Sequence, residues 1–284
     1  MSEFIIIANN TCDLPEDILQ SLDIAMLPLG INIGEESYKE ISSKVFYQKL
    51  REGAMPTTNA ANLGEYIDLY EPALQAGKDV LNLVFSSGLS MTYSAAQMAA
   101  QELAGKYPDR KIYVVDTMAA SLGEGLLIRG AAEMRAAGKS IDEVRDWAEE
   151  TKGKLLQYFT VNDLGHLKRG GRISAAQALV GGMLGVKPIL KVNQTGHLEA
   201  LEKVRGRQAA LLRILDIFKE KAVDVANQTI YISHGDCEDE AKWLAGQFKE
   251  QLGVNNVIIS FLGPVIGSHT GAGIIAVFGV GEGQ

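Results

Sequence analysis

Residues 84–92, VFSSGLSMT, join an apolar run, VLNLVF, to a helical pattern, TYSAAQMAAQELAG. Ser90 therefore falls at a strand-to-helix turn. The turn is one residue short of the G-x-S-x-G nucleophile elbow, because Thr92 stands where the second glycine belongs. Three chemistries suit a serine there: nucleophilic attack, helix capping, and donation to a bound anion. Ser90, Asp116 and His269 occur in the Ser…Asp…His chain order of the α/β hydrolases, so acyl hydrolysis is one reading. Against it, Thr92 brings a side chain to the crowded point of the elbow, and Met91 adds bulk where an oxyanion would approach.

Other hydroxyls recur in comparable places. Asn9 to Asp13 follow the run FIIIA; Ser86, Ser87 and Ser90 follow VLNLVF; Asp116, Thr117 and Ser121 follow KIYVV. A further pair, Thr57 and Thr58, precedes the helical pattern LGEYIDLYEPAL. Taken singly, Ser, Thr, Asn and Asp are the ordinary helix N-caps, and Asp13 and Asp116 suit bonds to loop backbone. Taken together, hydroxyls converging on helix starts make a cradle for a carboxylate or phosphate. Both readings stand at this level.

The four histidines, His166, His197, His234 and His269, lack H-x-x-x-H and H-E-x-x-H spacing, so no metal site is expected. His234 reads as a local hydrogen-bonder. His269, in SHTGAG, lies among small residues where a ligand can approach, and either role suits it. No G-x-x-x-x-G-K-[ST] or G-x-G-x-x-G loop is present, so no nucleotide cofactor is expected. Lys168, Arg169 and Arg172 form a small basic loop, read as a solvated turn or as a docking or anion contact. Residues 175–186, AAQALVGGMLGV, read as a small-residue helix that is buried or lines a channel.

These side chains need a scaffold. Strand-like runs alternate with helical patterns through the first half, which predicts an α/β fold, mostly a parallel sheet flanked by helices. After residue 153 the texture changes: LLQYFTV, KPILKVN, HLEALEKV, TIYISH and NVIISFLG read as strands, with Gln194-Thr195-Gly196 turning a hairpin. We expect an N-terminal α/β domain over residues 1–155 and a smaller C-terminal α+β domain over residues 156–284.

The formal net charge of −8 argues against nucleic acid and against firm docking on anionic membranes. Cys12 and Cys237 are the only cysteines and lie far apart, which predicts no disulfide framework and a reduced compartment. The sequence MSEFIIIANN lacks the basic and long apolar regions of a signal peptide, and no run reaches the ~18 residues of a membrane span. A soluble, cytoplasmic protein is expected.

The pieces NNTCDLP, PTTNAAN, SSGLSMTYSAA, VVDTMAASLGEG, LKRGGRIS, ISHGD and IGSHTGAG, in this order, resemble the DegV family across essentially the whole chain. Its better-understood members are bacterial fatty-acid-binding proteins of FakB type, which present a fatty acid to a partner kinase. The resemblance implies a long-chain, palmitate-like ligand held between two α/β domains and no catalysis by this chain. It implies that Thr57, Thr58 and Ser90 bond the carboxylate, with His269 in the same network. Arg172 would be an exposed arginine that meets an ATP-dependent fatty acid kinase, and transient membrane contact would load the lipid. The carboxylate's water would be replaced by neutral hydroxyls and helix amides, without a salt bridge. The chain departs from the family pattern at Asn9-Asn10, Ala60, Met91 and Thr117. Met91, where the family has glycine, is expected to face the acyl tunnel and to shorten or bend it.

Overall fold

The computed structural model describes residues 3–174 and 185–283. A parallel sheet of order β2-β1-β6-β7 is built from β1 (Phe4–Asn9), β2 (Ile24–Leu27), β6 (Asp79–Val84) and β7 (Ile112–Asp116). Its strands are apolar on both faces, as a sheet covered on both sides requires. Ile7, Val80 and Val84 pack against α3 (Leu63–Gln75) and α4 (Thr92–Lys106). Ile6, Leu81 and Leu83 face the opposite core, which holds α5 (Leu122–Ala136) and α6 (Ile141–Lys152). Capping boxes start α3 and α6: Asn62 with Glu65, and Ser140 with Glu143, each satisfy two backbone N–H groups.

A second, mixed sheet of order β10-β9-β8-β13-β11-β12 comprises β8 (Leu155–Thr160), β9 (Val186–Val192), β10 (Leu198–Arg205), β11 (Thr229–His234), β12 (Asn256–Phe261) and β13 (Ile275–Val280). Only β11 and β12 run parallel there. One face packs on α8 (Arg207–Lys221) and α9 (Glu238–Leu252). The other turns Phe159, Ala276 and Phe278 into the core that holds α5. That helix is buried nearly all round, as expected of one lying between two sheets. The hairpin expected at residues 194–196 is present.

Several elements had no clear sequence signal. α1 (Glu16–Ser21) joins β1 to β2, whereas β2, β3 (Ile31–Ile33), β4 (Glu36–Tyr38) and α2 (Ser43–Arg51) fill residues that carried no assignment. Thr57 and Thr58 form the two-residue strand β5, which pairs with β3 in a sheet of order β4-β3-β5. The glycine-rich end folds as α10 (Pro264–Thr270) followed by β13, and α7 (Gly165–Arg169) is the expected turn of helix. The small-residue helix expected over 175–186 lies outside the described residues except at its last two positions. Among the described residues no helix is long and apolar enough to cross a membrane.

Candidate functional site

Beyond the carboxyl ends of β6 and β7, where ligands bind in open α/β sheets, a cavity of about 260 Å³ opens toward β8, β13 and α10. Leu29, Phe85, Phe159, Val192, Ile266 and Phe278 supply much of its apolar wall. Its polar groups include Thr58 from β5, Ser90 from the turn before α4, Ser121 before α5, Arg172, and His269 from α10. Four of the five residues singled out from sequence thus line one cavity. Thr57 does not: it is exposed and lines an outer depression instead. Consecutive strand residues point to opposite faces, which separates the pair.

Each polar group has a backing partner. Ser90 Oγ accepts from the Thr92 backbone N–H at 3.2 Å, at the start of α4, and lies 2.8 Å from Thr92 Oγ1. With the buried Thr92 hydroxyl donating, the Ser90 proton is left for a ligand. Thr58 Oγ1 lies 2.8 Å from His269 Nε2. His269 Nδ1 is buried with no partner among the described residues. It rests on Gly170, where a Cβ would come within 2.3 Å of it. A buried, unpaired lone pair is tolerated better than a buried, unpaired N–H, which favours the tautomer with the proton on Nε2. In that tautomer His269 donates to Thr58, and Thr58 turns its own O–H toward an acceptor. Burial, reinforced by the Arg172 charge, pushes His269 down to about 4, so the ring is neutral near pH 7.

Arg172 departs from the exposed residue that the resemblance implies. It is half-buried, its Nε donates to Leu89 O at 3.2 Å, and its Nη1 donates to Gly170 O. Burial lowers its pKa from the usual arginine range. The head of the cavity therefore contains a guanidinium, where a cradle without a salt bridge was expected. The geometry also removes the hydrolase alternative. Ser90 bonds Thr92 rather than a histidine, and His269 is engaged by Thr58. Asp116 accepts from the backbone N–H groups of Ser87 at 3.2 Å and Met118 at 3.0 Å. No Ser-His-Asp relay is assembled.

The remaining hydroxyl clusters hold the loops. Asn10 bonds Leu29 in both directions, and Thr11 Oγ1 donates to the buried Glu124 carboxyl at 2.9 Å. Ser121 Oγ donates to Asp13 Oδ2 at 2.5 Å and lies 2.7 Å from Ser233 Oγ. Asp13 Oδ1 accepts from Gly263 N at 2.9 Å, so this buried carboxyl ties β1, α5, β11 and the approach to α10 together. Burial pushes Asp13 up to about 7 and raises Glu124 well above its ordinary value. Met91 is 77% exposed at the cavity rim, so its side chain does not fill the interior. His234 accepts from Cys237 N at 3.4 Å, a local bond as expected. Among the described residues no group of three or more His, Cys, Asp or Glu is arranged to hold a metal ion.

A family model described as "Uncharacterised protein, DegV family" matches residues 3–282. A DegV domain-containing protein of Clostridium perfringens is 44% identical over 287 residues, covering 99% of both chains. The structure of a fatty-acid-binding DegV family protein from Thermus thermophilus is similar, with 34% identity and a TM-score of 0.87 over 98% of this chain and 99% of that one. The Bacillus subtilis DegV, described as a fatty acid binding protein, shares 30% identity and a TM-score of 0.85 over 98% and 99% of the two chains.

Proposed function

From the premise that the chain belongs to the DegV family, we propose that it binds one long-chain fatty acid and presents it to an ATP-dependent fatty acid kinase. The carrying observation is that one largely apolar cavity has the polar side chains of Thr58, Ser90 and Arg172 in its wall. Burying a palmitate-sized chain is worth ~0.8 kcal/mol per methylene, roughly 10 kcal/mol gross, enough to draw the lipid from a membrane surface. The carboxylate must then be re-bonded, since unpaired burial is costly. Two backed hydroxyls and one guanidinium do this. The relatives described as fatty acid binding proteins support the same ligand class.

On this reading the protein is a carrier without catalysis of its own, and ATP, metal and transfer chemistry belong to the kinase. The 1–155 segment supplies Thr58 and Ser90, and the 156–284 segment supplies Arg172 and His269. Arg172 serves both sides of the rim, inward on the head group and outward on the kinase. Organic extraction of the purified protein followed by mass spectrometry tests the ligand: a single-chain fatty acid near one equivalent is expected. A folded protein that neither carries nor takes up a fatty acid would sink the proposal. For docking, Arg172→Glu at saturating fatty acid should slow acyl-phosphate formation by the added kinase and ATP; equal rates would remove that role.

A further inference from the structure

Asp13 is buried and lines no part of the cavity, yet its side-chain hydrogen bonds end on residues that build the wall or lead into it. Ser121, in the wall, donates to Asp13 Oδ2 at 2.5 Å. Gly263, directly before α10, donates its backbone N–H to Asp13 Oδ1 at 2.9 Å. The Asp13–Ser121 pair is strained at both ends. Asp13 has φ 52°, and Ser121 has φ 55° with ψ −141°, close to a region populated almost only by glycine. Strain of this kind persists where surrounding contacts impose it, and it concentrates at functional sites.

The consequence runs through α10, which gives Val265, Ile266, His269 and Thr270 to the cavity. Gly267 N donates to Gly263 O at 2.8 Å, so the helix starts from the residue that Asp13 holds. There is little slack. A Cβ on Gly263 would lie 2.5 Å from Asp13 Oδ1, and one on Gly267 would lie 2.7 Å from the Phe46 ring. Tyr47 Oη steadies the same segment by donating to Leu262 O at 2.8 Å. Toward the other end of α10, His269 Nε2 meets Thr58 Oγ1 on β5 at 2.8 Å. A shift of about 1 Å in α10 would carry that pair out of hydrogen-bonding range. We propose that Asp13 is a positioning residue for the lipid site: by holding Gly263 and Ser121 it places α10, and so keeps the His269–Thr58 pair made. It touches no ligand itself. For the identity of the ligand, this inference rests on the fatty-acid reading.

The test compares Asp13→Asn, Asp13→Gly and Gly263→Ala in lipid-stripped full-length protein, by palmitate affinity and by NMR titration of the His269 ring. Asn keeps an oxygen for Gly263 N and tolerates the left-handed backbone, so palmitate affinity should stay within about threefold of wild type. Gly suits that backbone but removes the acceptor. It should weaken palmitate by roughly tenfold, the scale of one lost hydrogen bond to the carboxylate. It should also raise the His269 pKa from about 4 toward its ordinary value, as the ring loses its buried setting. Gly263→Ala leaves Asp13 in place but forces the two apart, and should move both readouts the same way. Combined with Asp13→Gly it should add nothing, because both remove one contact. Either readout at its wild-type value in Asp13→Gly and Gly263→Ala overturns the proposal, as does an additive loss in the double variant. An Asp13→Asn loss equal to the Asp13→Gly loss also overturns it, since Asn keeps the acceptor. Should Asp13→Gly fail to fold, Gly263→Ala decides alone. If wild type itself takes up no palmitate, the fatty-acid reading falls, and the His269 titration alone decides the positioning role.

Discussion

Thr58 and Ser90 share a design: each lines the cavity while a second group behind it donates to its oxygen and leaves its own O–H for the ligand. The pair Thr58–His269 has its Oγ1–Nε2 distance at 2.8 Å, and Ser90–Thr92 has its hydroxyl oxygens 2.8 Å apart. Removing one such donor to a carboxylate costs about 1.5–3 kcal/mol. Thr58→Val, which keeps the shape, should therefore weaken palmitate binding by roughly tenfold or more, and, because it leaves the His269 Nε2–H without its acceptor, it should also lower the urea midpoint. An unchanged affinity would exclude Thr58 from the head group. The buried carboxyl at Asp13 makes a separate prediction for pH. Its native pKa of about 7 exceeds the ordinary 3.8, so the stability it contributes is full below pH 3.8 and is lost as pH rises through 7. Three units correspond to about 4 kcal/mol. Asp13→Asn keeps an oxygen for Gly263 N, so its stability relative to wild type should climb from pH 5 to pH 8 in urea titrations. A difference that stays flat with pH would refute the raised pKa. His269 runs the other way. Its pKa is depressed to about 4 from 6.5, so the stability it contributes is present above pH 6.5 and lost as pH falls toward 4. His269→Gln should therefore gain on wild type as pH falls.

At the scale of elements, the hairpin of β9 and β10 closes the site by resting on the turn before α4. Ser86 Oγ donates to Gly196 O at 2.8 Å, and a Cβ on Gly88 would lie 2.6 Å from the Gly196 carbonyl carbon. Gly88 is thus required for close approach of two backbones, a reason unrelated to any nucleophile elbow. Gly88→Ala should lift the hairpin, costing about 1–3 kcal/mol. Because Val192 and Leu198 line the cavity from that hairpin, fatty-acid release should also quicken. Stopped-flow release at the wild-type rate, with the stability loss present, would separate the hairpin from the wall. The strands β1, β6 and β7 and the helices α3 to α6 were legible in the sequence because their apolar runs and helix-forming composition are local, as are the capping boxes of α3 and α6. β2 to β5 were not: they are two to four residues long and half-exposed, and their pairing partners supply what their own pattern lacks.

In the whole molecule, the cavity lies where the two sheets and α10 meet, so a ligand filling it binds the folded chain and not the unfolded one. At a hundredfold excess over Kd such binding adds about 2.7 kcal/mol. For a chain of this size that is on the order of 5–10 °C in Tm. Palmitate should raise the Tm of lipid-stripped protein by this much, and its methyl ester, which offers no anionic head to Arg172, by less. No shift with either would argue that the cavity stays empty. Sequence by itself determined the alternation of strands and helices and the hydroxyl-rich turns at strand ends. It also marked Thr58, Ser90, Arg172 and His269 as chemistry-bearing. Those signals are local, written in residue type and spacing over a few positions. The tertiary structure decided the rest: that Thr57 faces outward, that Arg172 is half-buried beside His269, and that Asp116 serves a loop. It also decided which apolar strand residues line the cavity, since Phe159 and Phe278 read the same in sequence whether they meet another side chain or a ligand. Contacts of that kind join residues more than a hundred positions apart, and only the packed chain specifies them.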